Sequence, residues 1–169
     1  MEKLRRSLKI VDNFTKWSAF CVAPLCLSLI AITMYDVIGR RIGLFTAPAF
    51  DIEWFHYGFI MMLAMGFAVL KDQHVRIDLL TDRYSPRVQA MLMVFGYAVL
   101  VIPFLILVAG SSLEFSLRSM AVHELTMTAW QAEVWFVKLS IFAGICLMLP
   151  QCFAELIRHS YFAIKKEEL

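Results

Sequence analysis

The chain has 169 residues, of which 60% are hydrophobic and 18% are charged, and its mean hydropathy is +0.70. This composition excludes a soluble domain of any size and indicates a protein that has the lipid bilayer as its solvent. The formal net charge is only +2 and no basic face with interleaved aromatic residues is present, so we expect no nucleic-acid partner.

Four apolar stretches follow one another along the chain. Each is close to or above the length of helix that crosses about 30 Å of hydrocarbon at about 1.5 Å per residue. The first three contain no Asp, Glu, Lys or Arg, and the fourth contains only Lys138. Because unpaired backbone groups are costly in lipid and the alternation typical of barrel strands is missing, we predict an all-α integral membrane fold with four transmembrane helices in one domain. The predicted spans are residues 17–35, 54–70, 88–113 and 134–154.

The Lys and Arg residues outside these spans lie almost entirely on alternate segments. Twelve of them lie in residues 1–16, 71–87 and 155–169, whereas residues 36–53 and 114–133 hold only Arg40, Arg41 and Arg118. Positive charge is enriched in cytoplasmic segments. We therefore predict that both termini and the central loop are cytoplasmic (N-in, C-in), that the other two loops are periplasmic, and that the chain is a multi-pass protein of the inner membrane.

Residues 1–16 allow two interpretations. Apolar residues recur at roughly helical spacing and most basic residues lie elsewhere, which suits a helix lying in the cytoplasmic interface. The plainer interpretation is the charged flank of the first span. A short interfacial helix in the first outer loop is a further alternative. No small-x-small cleavage pattern adjoins the first span, so we expect it to be retained.

Aromatic residues and prolines mark the ends and irregularities of the predicted helices. Trp17, Trp54 and Trp130 lie near predicted membrane boundaries, where indole rings are favoured, and we interpret them as membrane-interface anchors. Ser85 and Pro86 predict a helix start, with the serine as N-cap. Kinks are expected at the remaining prolines within the helices, which are Pro24, Pro103 and Pro150.

The polar residues at the outer ends of the spans each have a structural and a functional interpretation. Asp51 can cap the second span, with Glu53 in its first turn. Glu53 and His56 share a helix face, which favours either surface capping or docking of a partner protein. Lys138 enters the membrane by about one turn, and its ammonium can either snorkel to the headgroups or pair with a partner subunit, since Glu133 is poorly placed to neutralise it.

Several enzyme and transporter classes fit the residues poorly. The four cysteines lie inside the predicted spans without a C-x-x-C pair, so we interpret them as packing residues. A carrier working alone needs buried charges and an internal repeat, and neither is evident. A haem-carrying anchor subunit needs two facing histidines, but only His56 lies inside a span.

Three segments in order resemble the small membrane subunit of TRAP (tripartite ATP-independent periplasmic) transporters, the DctQ-like family. They are Asp51-Ile52-Glu53-Trp54, the apolar helix that contains Gly66, and Lys71-Asp72-Gln73-His74-Val75-Arg76-Ile77-Asp78-Leu79-Leu80. Val37-Ile38-Gly39-Arg40-Arg41 resembles the element that ends the first helix of the family, although Arg41 stands where an aromatic is common. Gln73 likewise stands where a glycine often precedes the histidine.

The last helix resembles a subgroup of that family in which a Trp-x-x-Lys element opens it. Here the element is Trp135-Phe136-Val137-Lys138, and it is followed by Gly144, Leu147, Gln151 and Glu155. The whole resemblance covers roughly residues 30 to 158.

The resemblance implies a non-catalytic scaffold without a cofactor. Its partners would be a large multi-span subunit that moves the substrate, usually an organic acid, on an ion gradient that is commonly sodium, and a periplasmic substrate-binding protein. A haem-carrying or other four-helix anchor subunit of a redox enzyme remains the alternative. For residues 74–78, the structural interpretation is a cytoplasmic turn whose charges pair with neighbours or lipid phosphates. The candidate partner-contact residues are Arg40, Glu53, His56, His74, Arg76, Asp78, Trp135 and Lys138.

Overall fold

The computed structural model describes residues 2–71 and 84–165, and within these ranges helices are joined by two short loops, residues 42–46 and 122–134. The helical elements are α1 (Glu2–Phe20), α2 (Val22–Arg41), α3 (Ala47–Leu70), α4 (Pro86–Phe95), a π-helical turn (Gly96–Val101), α5 (Ile102–Ala121) and α6 (Trp135–Lys165). Four helical segments are long and apolar enough to cross a membrane, namely Arg5–Arg41, Ala47–Leu70, Pro86–Ala121 and Trp135–Ile164. The predicted all-α fold with four membrane-spanning segments is confirmed.

The helices extend beyond the apolar stretches, and this corrects one prediction. α3 begins at Ala47, with Thr46 as N-cap and Pro48 in the first turn, where its missing N–H leaves no carbonyl unpaired. The backbone carbonyl of Thr46 accepts from the N–H of Ala49 at 3.0 Å. Asp51 therefore lies inside the helix, and the predicted capping role of Asp51 and first-turn position of Glu53 are wrong.

Proline accounts for two irregularities of the spans. A turn residue, Cys21, separates α1 from α2 three residues before Pro24, which has no N–H for the carbonyl of Phe20. The π-helical turn Gly96–Val101 directly precedes Pro103 in the first turn of α5. α6, in contrast, continues as one helix through Pro150.

The predicted helix start at Pro86 is confirmed. Ser85 occupies the N-cap position with extended dihedrals, φ −63° and ψ 151°, but its hydroxyl makes no capping hydrogen bond. The fixed φ of the proline therefore accounts for this start better than the serine side chain does.

α6 is the central helix of the bundle. It packs against α3, α4, α5 and α1, while α2 packs on the outer side of α3. The core is apolar and consists of Val69, Tyr97, Ile102, Leu105, Ile145, Met148 and Cys152. Most other large apolar side chains point outwards, as expected when the surroundings are lipid or a partner rather than water.

The bundle has two ends, which we name by what they carry. The loop end holds loops 42–46 and 122–134 together with the start of α6. The terminus end holds the end of α3, the start of α4 and the end of α6, where Nε of Arg87 donates to the carbonyl of Ala163 at 2.9 Å. Nearly all charged side chains of the described residues lie towards one of these two ends.

Candidate functional site

Gly66 and Gly144, two glycines of the motifs described above, lie where α3 and α6 touch. A Cβ atom added at Gly144 would lie 2.7 Å from Cβ of Met62, so α3 and α6 touch there through backbone. A Cβ at Gly66 would lie 3.5 Å from the carbonyl oxygen of Leu147 and 3.5 Å from Cγ2 of Thr15. Both glycines are buried, and they set the spacing between the helices.

At the terminus end, a buried polar network ties α1 to α6. Gln151, which is 0% exposed, lies at its centre. Its Oε1 accepts from Oγ1 of Thr15 at 3.0 Å, and its Nε2 lies 3.3 Å from Oδ1 of Asp12 and 3.0 Å from Oε1 of Glu155. A glutamine suits this position because it carries a donor and an acceptor and brings no charge of its own.

Arg158 completes this network by bridging its two carboxylates. One guanidinium nitrogen donates to Oδ2 of Asp12 and the other to Oε1 of Glu155, both at 2.5 Å. Removing Arg158 would leave two partly buried carboxylates without their cation, which is more costly than the bonds themselves. No sequence pattern indicates that Asp12 and Thr15 face α6. The i, i+4, i+7 spacing of Gln151, Glu155 and Arg158 was the one available signal.

At the loop end, a loop clasp formed by Asp51, Thr126 and Thr128 joins loop 122–134 to α3. Oδ2 of Asp51 accepts from Oγ1 of Thr126 at 2.9 Å and from the hydroxyl of Thr128. Oγ1 of Thr126 also accepts from the N–H of Ala132 at 3.0 Å, which closes the loop on itself. Asp51 is buried, so its carboxylate is a structural acceptor and not a surface charge offered to a partner.

Lys138 has an acidic partner within the chain that the sequence reading did not identify. Its ammonium lies 2.5 Å from Oε2 of Glu124 and 3.9 Å from the ring centre of Phe115, where a cation–π contact adds to the ion pair. The hydrogen bond from Lys138 lowers the pKa of Glu124 below its ordinary value of 4.5. Lys138 is thereby neutralised at the loop end by loop 122–134.

Trp135 and Glu133 hold the second half of the same loop. Nε1 of Trp135 donates to Oε2 of Glu133 at 2.6 Å, and Nδ1 of His123 lies 3.1 Å from Oε1. The hydrogen bonds of His123 and then Trp135 lower the pKa of Glu133. Ser116 of α5 donates to the carbonyl of Trp135 at 3.0 Å, which ties the start of α6 to α5.

The other candidate contact residues occupy different environments. Arg40 is exposed and pairs with Asp36, which is 1% exposed. Glu53 and His56 are half-buried on α3; Oε1 of Glu53 has no hydrogen-bond partner among the described residues, and Nδ1 of His56 lies 2.9 Å from the carbonyl of Ile52. The remaining candidates, His74, Arg76 and Asp78, lie outside the described residues.

The predicted interface anchors Trp17, Trp54 and Trp130 are all exposed. Trp54 makes edge-to-face contacts with Phe50 at 6.4 Å and with Tyr57 at 6.5 Å between ring centres, so three aromatic rings follow one outward face of α3 near the loop end. This placement suits an aromatic belt at a membrane boundary.

The histidines required by the redox alternative lie in different parts of the bundle. His56 lies on α3 near the loop end, and the ring of His159 stacks on Tyr97 at 6.1 Å near the terminus end. A pair of axial ligands would have to face each other across one cofactor. The described histidines do not meet this geometric requirement.

The comparison with known families agrees with this arrangement. The model of the family described as tripartite ATP-independent periplasmic transporters, DctQ component, matches residues 29–160. This range takes in most of α2 and most of α6, and it leaves out α1. The search of the curated proteins finds no match.

Proposed function

Since the chain belongs to the DctQ component family of TRAP transporters and is therefore a non-catalytic small membrane subunit of such a system, we propose that it braces the large transport subunit. In this proposal the large subunit moves an organic acid that a periplasmic binding protein delivers. An ion gradient, most simply of sodium, drives the uptake in the inner membrane.

One observation carries the bracing role. Across residues 2–71 and 84–165, the ion pairs inside the fold lie at the two ends, buried Asp51 is bonded by threonine hydroxyls at the loop end, and the core between the ends is apolar. A path for an anion or a coupling ion needs polar groups near the middle of the membrane. This arrangement supports a role in which cargo passes through another subunit.

The candidate contact residues fall into two groups, those that fix loop 122–134 and those exposed to a partner. Trp135 and Lys138 act indirectly, because they fix loop 122–134 through Glu133 and Glu124. Arg40 is the candidate whose charged group is most accessible to a partner, since it lies exposed at the end of α2. We therefore place the first partner contact at the loop end of α2.

Co-purification with a matched arginine pair tests this contact. Arg40 and Arg118 are both exposed and each pairs with an acid four residues earlier, on α2 and α5 respectively. Arg40→Gln should reduce recovery of the large subunit with the tagged chain, whereas Arg118→Gln should leave it unchanged. Equal recovery with both variants would remove Arg40 from the interface, and absence of any multi-span partner with the unmodified chain would contradict the bracing role itself.

Transport in liposomes tests the division of labour. The chain alone should accumulate no solute, while the chain with its large subunit and binding protein should accumulate an organic acid under an inward sodium gradient. Replacing sodium by choline should abolish the uptake. Accumulation by the chain alone would overturn the proposal, and uptake by the large subunit at full rate without this chain would show that no brace is needed.

A further inference from the structure

α1 has three distinct sides. One side faces the bundle and carries buried Leu8, Thr15 and Ser18. The other two sides are exposed, and they differ sharply in chemistry. Two of the three sides of α1 therefore face away from the rest of the bundle.

The first exposed side of α1 is apolar. Ile10, Phe14 and Trp17 recur at positions i, i+4 and i+7, and they are 63%, 51% and 67% exposed. An indole among large aliphatic and aromatic side chains is typical of a helix that lies at the boundary between headgroups and hydrocarbon.

The second exposed side of α1 is basic. Arg5, Lys9 and Lys16 recur at i, i+4 and i+11, and Arg6 lies beside them. None of the four forms an ion pair with a residue that the structure describes. The acids of α1 do not offset them, because Asp12 is engaged by Arg158 and only Glu2 is exposed.

α1 lies at the terminus end of the bundle, where it runs beside α3 and α6. Twenty residues of α2 already suffice to cross about 30 Å of hydrocarbon. Thr15 contacts Gly66, four residues before the end of α3, and α1 packs on both α3 and α6. α1 therefore lies against the terminus end of the bundle, held there by the polar network of Asp12, Thr15, Gln151, Glu155 and Arg158.

We propose that the basic side of α1 binds anionic phospholipid headgroups at the terminus end of the bundle. The apolar side of α1 faces hydrocarbon, and its four cations reach the lipid phosphates, which accept hydrogen bonds from ammonium and guanidinium groups. The occupant is a lipid surface and not a soluble phosphate, because the basic side adjoins an apolar side that water would not cover. This role is independent of the bracing function.

Quenching of Trp17 by lipids with brominated chains tests the proposal on the full chain in vesicles. Vesicles contain either brominated phosphatidylglycerol or brominated phosphatidylcholine at the same mole fraction, and a Trp17→Phe variant supplies the contribution of the other tryptophans. Quenching should be stronger with the anionic lipid, and the preference should weaken as salt is added. In the double variant Arg5→Gln/Lys9→Gln the preference should fall, by up to roughly fivefold for each cation removed.

The control variant, Arg41→Gln/Arg118→Gln, removes the same charge from exposed positions outside α1 and should retain the preference. If the double variant of α1 fails to fold, Lys16→Gln against Arg118→Gln makes the same comparison with one charge. Equal quenching by the two lipids, an equal loss in the control, or an unchanged preference in the α1 variant would overturn the proposal. Absence of quenching by either lipid would place water or another protein on this side of α1 and would equally overturn it.

Discussion

Replacing Gly144 by alanine should separate α3 from α6, and Gly110 offers a matched control for the same change. Both glycines lie inside long helices, but their surroundings differ. A Cβ at Gly144 meets Cβ of Met62 at 2.7 Å and Cα of Met62 at 3.1 Å, whereas a Cβ at Gly110 meets nothing within 4 Å. Because Cα belongs to the backbone, no change of side-chain rotamer relieves the contact at Gly144.

The structure gives the size of the effect. Carbon atoms pack best about 3.5 to 4.0 Å apart, so α3 and α6 would have to separate by about 1 Å at this point. Overpacking of this kind costs about 1–3 kcal/mol, while Gly→Ala inside a helix contributes about 0.5–1 kcal/mol of stability. Gly144→Ala should therefore be destabilised by up to about 2.5 kcal/mol net, and Gly110→Ala should be stabilised by about 0.5–1 kcal/mol.

Reversible unfolding of the full chain in bicelles, followed by tryptophan fluorescence, measures both free energies of unfolding. The two variants should move in opposite directions, and thiol accessibility of Cys152, which lies buried in the core, should rise in Gly144→Ala only. Equal stability of the two variants would refute the close backbone contact between α3 and α6. A loss of stability in Gly110→Ala would show that the space beside this glycine is not open and would contradict the packing on which the control rests.

Three further predictions address the polar contacts. Gln151→Met should lower the free energy of unfolding by about 2–4 kcal/mol, because two interhelical bonds are lost and two carboxylates each lose a donor. The control Gln89→Met, at a half-buried residue of α4, should change the free energy of unfolding by less than about 1 kcal/mol in the same assay. Asp51→Asn should loosen loop 122–134 and speed its amide hydrogen exchange by about tenfold, as expected when charge-assisted bonds become neutral, with exchange in α6 as internal control. The lowered pKa of Glu124 means that its pair with Lys138 contributes stability above pH 4.5 and loses it as the pH falls through the lowered pKa, so Glu124→Gln should flatten the acid limb of a pH–stability curve.

The number and class of helices could be predicted because they depend on local composition. Each span carries enough apolar residues in sequence to make helix formation in lipid obligatory, and a proline in the right place sets the start of α4. Apolar composition and the position of a proline can be judged from neighbouring residues alone, without knowing which distant residues come into contact.

The helix ends and the polar contacts could not be predicted, because their partners are distant in the sequence. Asp51 has the residue type and position of a helix cap, yet its hydroxyl partner Thr126 comes 75 residues later. Glu133 is the acid nearest to Lys138 in the sequence, five residues back, whereas the acid that pairs with Lys138 is Glu124, fourteen residues back across the loop. In both cases the sequence pattern marks a residue that does make a polar contact, but it suggests a partner close in the sequence. The fold brings a distant residue into that position instead.

The family motif contains the same ambiguity between packing and contact with a partner. Gly66, Gly144 and Gln151 belong to the segments that resemble the family, and in the structure they make the contacts of α6 with α3 and α1. These three residues thus make the fold rigid, although their place in a family motif would equally suit contact with a partner.

Rigidity of this kind has a clear physical origin in this chain. The apolar core alone would allow the helices to slide. Lipid tails are as apolar as the core side chains, so contacts between helices can be exchanged for contacts with lipid at little cost. Directional bonds at both ends prevent sliding: the polar network fixes α1 on α6 at one end, and the loop clasp with the Lys138–Glu124 pair fixes loop 122–134 on α3 and α6 at the other. α6 is thus held at both of its ends, by α1 at one and by loop 122–134 at the other, and it can transmit force without changing its register, which is the mechanical property that the proposed brace for a moving subunit requires.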